Sequence, residues 1–404
     1  MTDRLYYTDP YSTEFDATVA RVDREDGRAL VRLDRTFFYP TTGGQPFDTG
    51  VLGSHRVVDV VEDVDGDVVH VVSDATGRPG PLGPALQPGE RVHGAIDWPR
   101  RFDHMQQHTG QHVLSAAFDR LFRVRTVSFH LGAESSTIDL AREMTPRELA
   151  AAEDEANRVV WENRAVSVRF VSAEEAAALP LRKEPVRGGR LRLIDVEGFD
   201  LSACGGTHVA RTGEVGVIAV TAWERFKGGQ RLEFHCGRRA LGRLRLLRDA
   251  TASGATLLSV TAADLPGAIE RLQSDAKEQR RLLVSLHADL ARYRAMELAD
   301  AAEPTARGRL AIAAIDADAS TLKALAAAIV SRDGFIVVFT STLRPALVVV
   351  ARSAGVAVAS HEVLARLTAK FGGRGGGKPD LAQGGGLDAP SDAILAEARA
   401  AITA

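Results

Sequence analysis

Two short motifs in this 404-residue chain each pair two side chains that bind transition metals. His108-Thr-Gly-Gln-His112 places two imidazoles at positions i and i+4, which on a helix puts both on one face. Cys204-Gly-Gly-Thr-His208 repeats this spacing with a softer first donor, and its glycines permit a tight backbone turn. Three nitrogens and one sulfur favour Zn²⁺ over Mg²⁺ or Ca²⁺. The two motifs together therefore predict a zinc site.

The role of such an ion stays open at this point. Four protein ligands usually form a closed structural site, whereas a catalytic site keeps a position for water or substrate. A zinc protease is disfavoured because Thr109 stands where its motif carries the glutamate that acts as general base. His235 and Cys236 offer two more donors, but neighbours on a predicted strand point to opposite faces.

Composition narrows the class of protein around this site. Hydrophobic residues make up 45% of the chain and charged residues 25%, near the averages for soluble globular proteins. No apolar run reaches the ~20 residues that span a bilayer, and the N-terminus lacks a basic region followed by an apolar stretch. We therefore expect a cytoplasmic protein without a membrane segment. Two cysteines are too few for a disulfide framework. Because the net charge is -3, a nucleic acid would have to bind at local basic patches.

The elements that position the motifs change in character along the chain. Residues 1 to about 97 alternate like β-strands around the turn Asp65-Gly66, which predicts a compact barrel or sandwich and then a linker near Trp98-Pro99. The next region predicts an α+β fold, with helices at 104–120 and from Thr145-Pro146, and strands at 166–170, 190–196, 215–221 and 230–236.

The last third of the chain begins with a long helical pattern. Apolar residues recur at three-four spacing from Ile269 to Tyr293, which predicts a short coiled coil or helical hairpin, or one amphipathic helix on a core. From about 305 the predicted order is strand (309–315), helix (319–331), two strands (335–339 and 346–350), helix (361–371), a glycine-rich loop and a last helix. This alternation is typical of a small α/β domain.

The motifs, taken in this order, resemble one family. The two metal-binding pairs are similar to those of the editing domain of alanyl-tRNA synthetases and of the freestanding AlaX alanyl-tRNA editing proteins. Residues 37–50 (FFYPTTGGQPFDTG) resemble the family's N-terminal glycine-rich motif, 127–132 (VSFHLG) its strand after the first zinc pair, and 371–386 (FGGRGGGKPDLAQGGG) the C-terminal domain of alanyl-tRNA synthetase. Because the β region begins at residue 1, we expect the long AlaX architecture, without an aminoacylation domain.

The resemblance implies an α+β multidomain fold. Its parts would be a small N-terminal β-barrel (1–97), a zinc-containing editing domain (98–250), a helical or coiled-coil linker (251–303) and a C-terminal α/β tRNA-binding domain (304–404). It also implies an ATP-independent aminoacyl-tRNA hydrolase for mischarged tRNA(Ala), chiefly Ser-tRNA(Ala) with Gly-tRNA(Ala) as a second candidate. Zinc on His108, His112, Cys204 and His208 would be its cofactor. An aminoacyl ester is already activated, so such a site mainly orients water and stabilises an oxyanion.

Further residues are candidates for substrate contact. In the segment Thr41-Thr42-Gly43-Gly44-Gln45 either threonine offers a hydroxyl to a seryl side chain, and glycine permits close backbone approach. His130 is either a substrate contact or a satisfied histidine on a strand. Whether the ion acts on water or on the substrate stays open, as does a homodimer formed through the helical linker.

Basic residues flank the cysteine motif and suggest a phosphate footprint. They are Arg182, Lys183, Arg187, Arg190 and Arg192 before it, and Arg225, Lys227, Arg231, Arg238, Arg239, Arg243, Arg245 and Arg248 after it. Arg225 and Lys227, with Arg374 and Lys378 of the glycine-rich segment, are the predicted tRNA contacts. A phosphate-binding P-loop is excluded in that segment because Pro379 replaces the required Ser or Thr.

A hypothesis from another class is a tRNA-binding adaptor with a closed structural zinc and no hydrolytic activity. The presence of all four ligands favours the hydrolase, because a decayed site would tolerate the loss of one. A threonyl-type editing site shares the zinc pairs, but the glycine-rich C-terminal motif argues against it.

Overall fold

A computed structural model describes residues 2–25, 28–73, 86–182 and 190–403. The chain divides into two compact units, Met1–Gly254 and Ala255–Ala404, and each contains hydrophobic clusters of its own. Among the described helices, none is both long and apolar enough to cross a bilayer. Lys183 and Arg187 of the predicted basic footprint lie outside the described residues.

The first unit begins with a closed β-barrel, which confirms the barrel prediction. The described strands of this region are β1 (Asp3–Arg4), β2 (Glu14–Glu25), β3 (Arg28–Leu33), β4 (Arg35–Thr36), β5 (Gly50–Leu52), β6 (His55–Glu62), β7 (Val68–Ser73) and β8 (Arg91–Ile96). The barrel closes in the order β2-β3-β7-β6-β5-β8, and β1 pairs with β4 beside it. The predicted turn at Asp65-Gly66 joins β6 to β7, and Gly66 has φ 80°. Buried and exposed residues alternate at the start of β2, as expected of a half-buried strand.

The predicted linker near Trp98-Pro99 is absent: helix α1 (Trp98–Phe122) begins directly after Asp97. Proline is well tolerated in the first turn of a helix, because backbone N–H groups there have no acceptor within the helix. Trp98 packs on Tyr11 and Phe102, with ring centroids 5.5 Å and 5.3 Å away. The helix is therefore anchored to the N-terminal segment from its first residue.

The rest of the first unit surrounds α1 with strands and helices. They are β9 (Thr126–Leu131), β10 (Ser136–Leu140), α2 (Pro146–Trp161), β11 (Val166–Val171), α3 (Ala173–Ala177), β12 (Leu191–Val196), β13 (Asp200–Ala203), β14 (Ile218–Phe226), β15 (Gly229–Cys236) and α4 (Gly237–Leu258). The sheet β14-β15-β10-β9 packs on α1, while β11, β12 and β13 form a second sheet. The predicted helix start at Thr145 is confirmed by a reciprocal capping box with Glu148. The strand predicted from 215 begins at Ile218, because Thr212–Val215 form a 3-10 turn.

The second unit is a mixed sheet with helices. Its elements are α5 (Leu265–Asp300), β16 (Glu303–Thr305), β17 (Gly308–Ile315), α6 (Ala319–Val330), β18 (Phe335–Ser341), β19 (Ala346–Arg352), α7 (Ser360–Phe371), β20 (Arg374–Gly377), β21 (Leu381–Leu387) and α8 (Ser391–Thr403). Its sheet order is β16-β17-β18-β19-β21-β20, and among the described strands of this sheet only β17 and β18 are parallel neighbours. The predicted order of strand, helix, two strands and helix is found. The sheet is mixed because a short hairpin joins β18 to β19 and makes them antiparallel.

The predicted glycine-rich loop is wrong: its residues form the hairpin β20–β21. Glycine residues weaken a strand, but here the hydrogen bonds between β21 and β19 stabilise the extended backbone. A Cβ at Gly377 would lie 2.3 Å from the Leu381 carbonyl oxygen, so the close strand approach requires glycine there.

Helix α5 is one continuous helix whose apolar stripe stays exposed within its unit. Leu272, Leu286, Leu290 and Tyr293 are each more than half exposed. Ala268, Ala295 and Ala299 are the buried positions of this helix. The stripe is therefore not the core-facing side of an amphipathic helix.

A buried ion pair joins the barrel to α1. Arg101 and Asp48 both have fully buried side chains, and Arg101 Nη2 lies 2.5 Å from Asp48 Oδ2. Arg101 Nη1 also donates to the Pro10 carbonyl, and the Tyr39 amide donates to Asp48. The loop between β4 and β5 is thereby held against the first turn of α1.

We expect Asp48→Asn to lower the free energy of unfolding of the first unit by about 3–5 kcal/mol, because it leaves Arg101 buried without a counter-charge. Urea unfolding followed by circular dichroism measures the change. Arg35→Ala is the control: Arg35 pairs with Asp34 at 3.5 Å on the surface and should cost less than about 1 kcal/mol. Equal effects of the two substitutions would contradict the prediction.

The barrel also contains a buried histidine that should make its stability depend on pH. Burial lowers the pKa of His70 to about 4, although its hydrogen bond to the Val31 carbonyl acts in the opposite direction. The folded state therefore binds this proton more weakly than the unfolded state, and stability should fall as pH drops from about 6.5 to about 4.

A His70→Gln variant should lack this part of the acid sensitivity, which amounts to about 3 kcal/mol for a buried group. Urea midpoints at pH 7 and pH 4 compare the variant with the parent protein. His93→Gln, at an exposed barrel position, should retain the full acid sensitivity. An unchanged pH profile in His70→Gln would refute this origin.

Candidate metal centre

Helix α1 carries the first two predicted ligands on one buried face. His108 and His112 are 1% and 4% exposed, and their ring centroids are 5.4 Å apart. The helix is continuous through both residues and ends at Arg123, which adopts a left-handed conformation. The spacing of four positions therefore brings the two rings to the same side, as predicted.

The loop after β13 brings the other two ligands to the same point. The ligand atoms of His108, His112, Cys204 and His208 all lie within 4.8 Å of one another. Cys204 Sγ lies 3.4 Å from the Nε2 atoms of both His108 and His208. Tetrahedral zinc, with bonds of about 2.0 Å to nitrogen and 2.3 Å to sulfur, would separate these donors by about 3.5 Å. The four side chains therefore fit a zinc ion.

Each histidine ring is oriented by a hydrogen bond at its other nitrogen. Gln45 Oε1 lies 2.8 Å from His108 Nδ1, Asp200 Oδ2 lies 3.0 Å from His112 Nδ1, and Thr109 Oγ1 lies 3.1 Å from His208 Nδ1. Such partners fix the ring and leave Nε2 for a metal. They come from the barrel loop, from β13 and from α1, so the centre needs all three elements.

The environments of Cys204 and His208 favour the forms of these two side chains that bind metal. Burial opposes ionisation of Cys204, yet His108 and His208 bring the pKa of this thiol well below its usual range. Burial, reinforced by His108, lowers the pKa of His208 to about 3. Although burial acts against it, hydrogen bonds from His112 and Arg182 hold the pKa of Asp200 far below its ordinary value. Thiolate and neutral imidazole are metal-binding forms, and Asp200 supplies a negative charge behind the ligands.

The cysteine motif needs glycine at only one of its two glycine positions. A Cβ at Gly206 would lie 2.1 Å from His108 Cε1, whereas the nearest atom to a Cβ at Gly205 is Tyr7 Oη at 3.7 Å. Neither residue has positive φ. The reason for Gly206 is therefore close contact with the His108 ring rather than the turn conformation that we predicted.

A cleft of 840 Å³ opens beside the four ligands. His112, Cys204 and Gly205 line one part of it, with Gly43 and Phe129 nearby. Gln111 donates to Ser115 Oγ at 2.8 Å within the same wall, and Thr126 donates to Ser115 at 2.7 Å. The cleft therefore combines open space at its glycines with a row of polar side chains.

The predicted substrate-contact segment is split between surface and interior. Thr41, Gly43 and Gly44 are exposed and Thr42 is half-buried. Gln45 is fully buried, where it contacts His108 and donates to Thr207 Oγ1 at 2.8 Å. Its side chain therefore orients a ligand, a role different from the substrate contact predicted for it.

His130 is not brought to the centre. It is exposed on β9, while Phe129 and Leu131 face the interior and the Phe129 ring lies 5.7 Å from His108. Successive strand residues point to opposite faces, so His130 faces away from the ligands. Its predicted substrate contact does not agree with this position. His235 and Cys236 likewise stay apart from the centre, with His235 on Glu233 and Cys236 buried beneath Gly110.

The predicted basic footprint is only partly on the surface. Arg225, Arg374 and Lys378 are exposed, Arg225 pairs with Glu143 at 3.0 Å, and Lys227 lies over the Phe226 ring. Three of the other basic residues are used inside the first unit: Arg182 pairs with Asp200, Arg239 with Asp103, and Arg192 is buried. Sequence reasoning missed Asp200, Thr109 and Arg192 as supports of the centre. The only signal was their closeness to the motifs.

The chain is similar to one family model and to several known proteins. The family model described as "Threonyl and Alanyl tRNA synthetase second additional domain" matches residues 191–233, which include Cys204 and His208. The alanyl-tRNA editing protein AlaX-L of Pyrococcus horikoshii is 30% identical over 395 residues, which cover 95% of this chain and 94% of that protein. The alanine–tRNA ligase of Methanoregula boonei is 36% identical over 401 residues, 95% of this chain. The chain spans only 42% of that ligase.

The solved structures include a partial likeness. The crystal structure of the C-Ala domain from Aquifex aeolicus alanyl-tRNA synthetase covers 26% of this chain and 98% of that domain, at 22% identity and a TM-score of 0.24.

We expect Gly206→Ala to lose metal, because its methyl group would overlap the His108 ring and such overpacking costs about 1–3 kcal/mol. Gly205→Ala is the matched control and should keep the metal content of the parent protein. Zinc per chain after gel filtration, measured by atomic emission, checks both. Equal zinc contents in the two variants would contradict the assignment.

Proposed function

Because the chain belongs to the AlaX family of alanyl-tRNA editing proteins, we propose that it hydrolyses the aminoacyl ester of mischarged tRNA(Ala). The substrates in this proposal are chiefly Ser-tRNA(Ala) and secondly Gly-tRNA(Ala), and the products are free amino acid and tRNA. The observation that carries it is the group of three histidines and one cysteine, of which His112 and Cys204 line an open cleft. The substrate would place the protein in the cytoplasm, with the translation machinery.

His108, His112, Cys204 and His208 would hold the zinc ion, since their donor set and spacing fit it. When bound, zinc supplies Lewis-acid stabilisation of negative charge on oxygen. Gln45, Thr109 and Asp200 keep the ligand rings in orientation through their Nδ1 atoms.

Other residues would bind and orient the ester. Gly43 and Gly205 leave room in the cleft for the terminal ribose and ester, because neither carries a side chain. We assign Thr41 and Thr42, beside Gly43, as candidate partners of the seryl hydroxyl. A site with a hydrogen-bond partner for that hydroxyl would discriminate against the alanyl ester, which leaves the partner unsatisfied.

Contacts to the rest of the tRNA are proposed at the exposed cations. Arg225 and Lys227 lie at the turn between β14 and β15, and Arg374 and Lys378 lie on the glycine hairpin. Arginine and lysine neutralise phosphates, so tRNA binding should weaken with salt. We propose four functional segments: a barrel (1–97), an editing domain (98–250), a helical segment (251–303) and a C-terminal domain (304–404). We also propose that the protein forms a homodimer through the exposed apolar stripe of α5.

The adaptor hypothesis remains the second candidate, favoured by one observation. All four presumptive ligands are protein side chains packed at one point, which is the usual form of a structural zinc site. In that case removal of zinc would unfold the first unit, with no hydrolysis to lose.

We expect purified protein to deacylate Ser-tRNA(Ala) and Gly-tRNA(Ala) at least tenfold faster than Ala-tRNA(Ala), and to lose this activity on chelation while retaining its circular dichroism spectrum. Cys204→Ala should lose hydrolysis yet bind tRNA, because it removes one metal ligand. Cys236→Ala is the matched control, since Cys236 is buried away from the centre, and it should remain active. Tight tRNA binding without hydrolysis of any ester would leave the adaptor.

A further inference from the structure

Arg192 lies behind the cysteine motif, in the middle of the first unit. It belongs to β12 and is 8% exposed. Its Nη1 donates to the Cys204 carbonyl at 2.7 Å and to the Gly206 carbonyl at 2.9 Å. Its Nε donates to the Tyr7 carbonyl at 3.1 Å, and its own carbonyl accepts from the Cys204 amide at 3.1 Å. One side chain therefore binds the motif on both sides of Gly205.

This guanidinium has no carboxylate partner among the residues that the structure describes. The ion pairs found there do not include Arg192, and its Nη2 makes no hydrogen bond. A buried cation without a counter-ion is costly, even where carbonyls solvate part of it. The partners of its buried charge are therefore the backbone carbonyls of Tyr7, Cys204 and Gly206.

The held segment carries two of the four ligands. The carbonyls of Cys204 and Gly206 are fixed on Arg192, while the Gly206 amide donates to Cys204 Sγ at 3.4 Å and the Thr207 amide donates to Gln45 at 3.1 Å. The backbone is therefore bound from the barrel side and from β12 at once. With those peptides fixed, few directions remain open to the side chains of Cys204 and His208.

We propose that Arg192 is a positioning residue of the metal centre, which holds the Cys204–Gly206 backbone so that Cys204 and His208 face the two histidines of α1. It acts through the loop and does not touch the substrate. The inference deepens the proposed function and rests on it, since it requires that the four side chains bind zinc. It also removes Arg192 from the basic footprint that the sequence suggested.

Arg190 provides a matched control two positions earlier in the chain. Its guanidinium is exposed and lies 4.9 Å from the Phe170 ring centroid, on the surface. Substitution at 190 removes the same charge from the same stretch of chain without touching the loop. A general effect of lost positive charge would therefore appear in both variants, and a positioning effect only at 192.

The experiment measures zinc release from the full-length zinc-loaded protein. Arg192→Met, Arg192→Lys and Arg190→Met are mixed with the chromogenic chelator 4-(2-pyridylazo)resorcinol, and thermal midpoints are recorded with and without zinc. We expect Arg192→Met to release zinc at least tenfold faster than the parent, in the range found for partners of metal ligands. Arg192→Lys should fall between them, because lysine keeps the charge but lacks the fork that spans two carbonyls. Arg190→Met should match the parent.

The thermal midpoints separate positioning from general stabilisation. A positioning role predicts that the rise in midpoint on adding zinc shrinks in Arg192→Met. A purely structural role predicts equal losses with and without zinc and an unchanged release rate, which would overturn the inference. If Arg192→Met does not fold, the release rate of Arg192→Lys decides in the same way. If the parent protein binds zinc and hydrolyses the ester, and Arg192→Met releases zinc at the parent rate, only the role of Arg192 is overturned. If the parent protein binds no zinc, the proposed metal centre is overturned as well.

Discussion

The buried ion pair between Arg101 and Asp48 is the contact on which the geometry of the centre depends. It fixes the barrel loop against α1 about two turns before His108, which lets Gln45 of that loop reach the His108 ring. Because water is excluded from both side chains, their attraction is stronger than on the surface. For the same reason, removal of one partner leaves a buried unpaired charge, which is strongly destabilising. The barrel region therefore contributes to the candidate metal centre, because its Gln45 side chain orients the ring of His108.

The candidate metal-binding group of His108, His112, Cys204 and His208 could be predicted from the sequence because each pair is local. Residues at i and i+4 on a helix share a face whatever the rest of the fold does. The groups that orient them could not be predicted, because Gln45 and Asp200 meet the histidines only through tertiary packing. Gln45 stands within a motif that suggested substrate contact, and its buried amide shows that a polar residue in such a motif can serve another side chain.

The errors in the fold have the same origin. The motif leaves His130 as either a substrate contact or a histidine satisfied on a strand, because the face of a strand is set by register, which one sequence does not reveal. The run from Gly372 to Gly377 reads locally as a loop, yet pairing with neighbouring strands makes most of it a hairpin. The barrel, α1, the capped helix from Thr145 and the long helix α5 were predictable because periodicity and capping are local signals.

The sequence separation of the two ligand pairs has a consequence for the chain as a polymer. Cys204 and His108 are 96 positions apart, so an ion held by both would act as a reversible cross-link that closes a long loop. Closing such a loop in the disordered chain is entropically unfavourable, and the penalty grows only slowly with loop length. Every tenfold rise in free zinc above the dissociation constant would add about 1.4 kcal/mol to the stability of the native state, so that the supply of the ion would set the fraction of the chain that is folded.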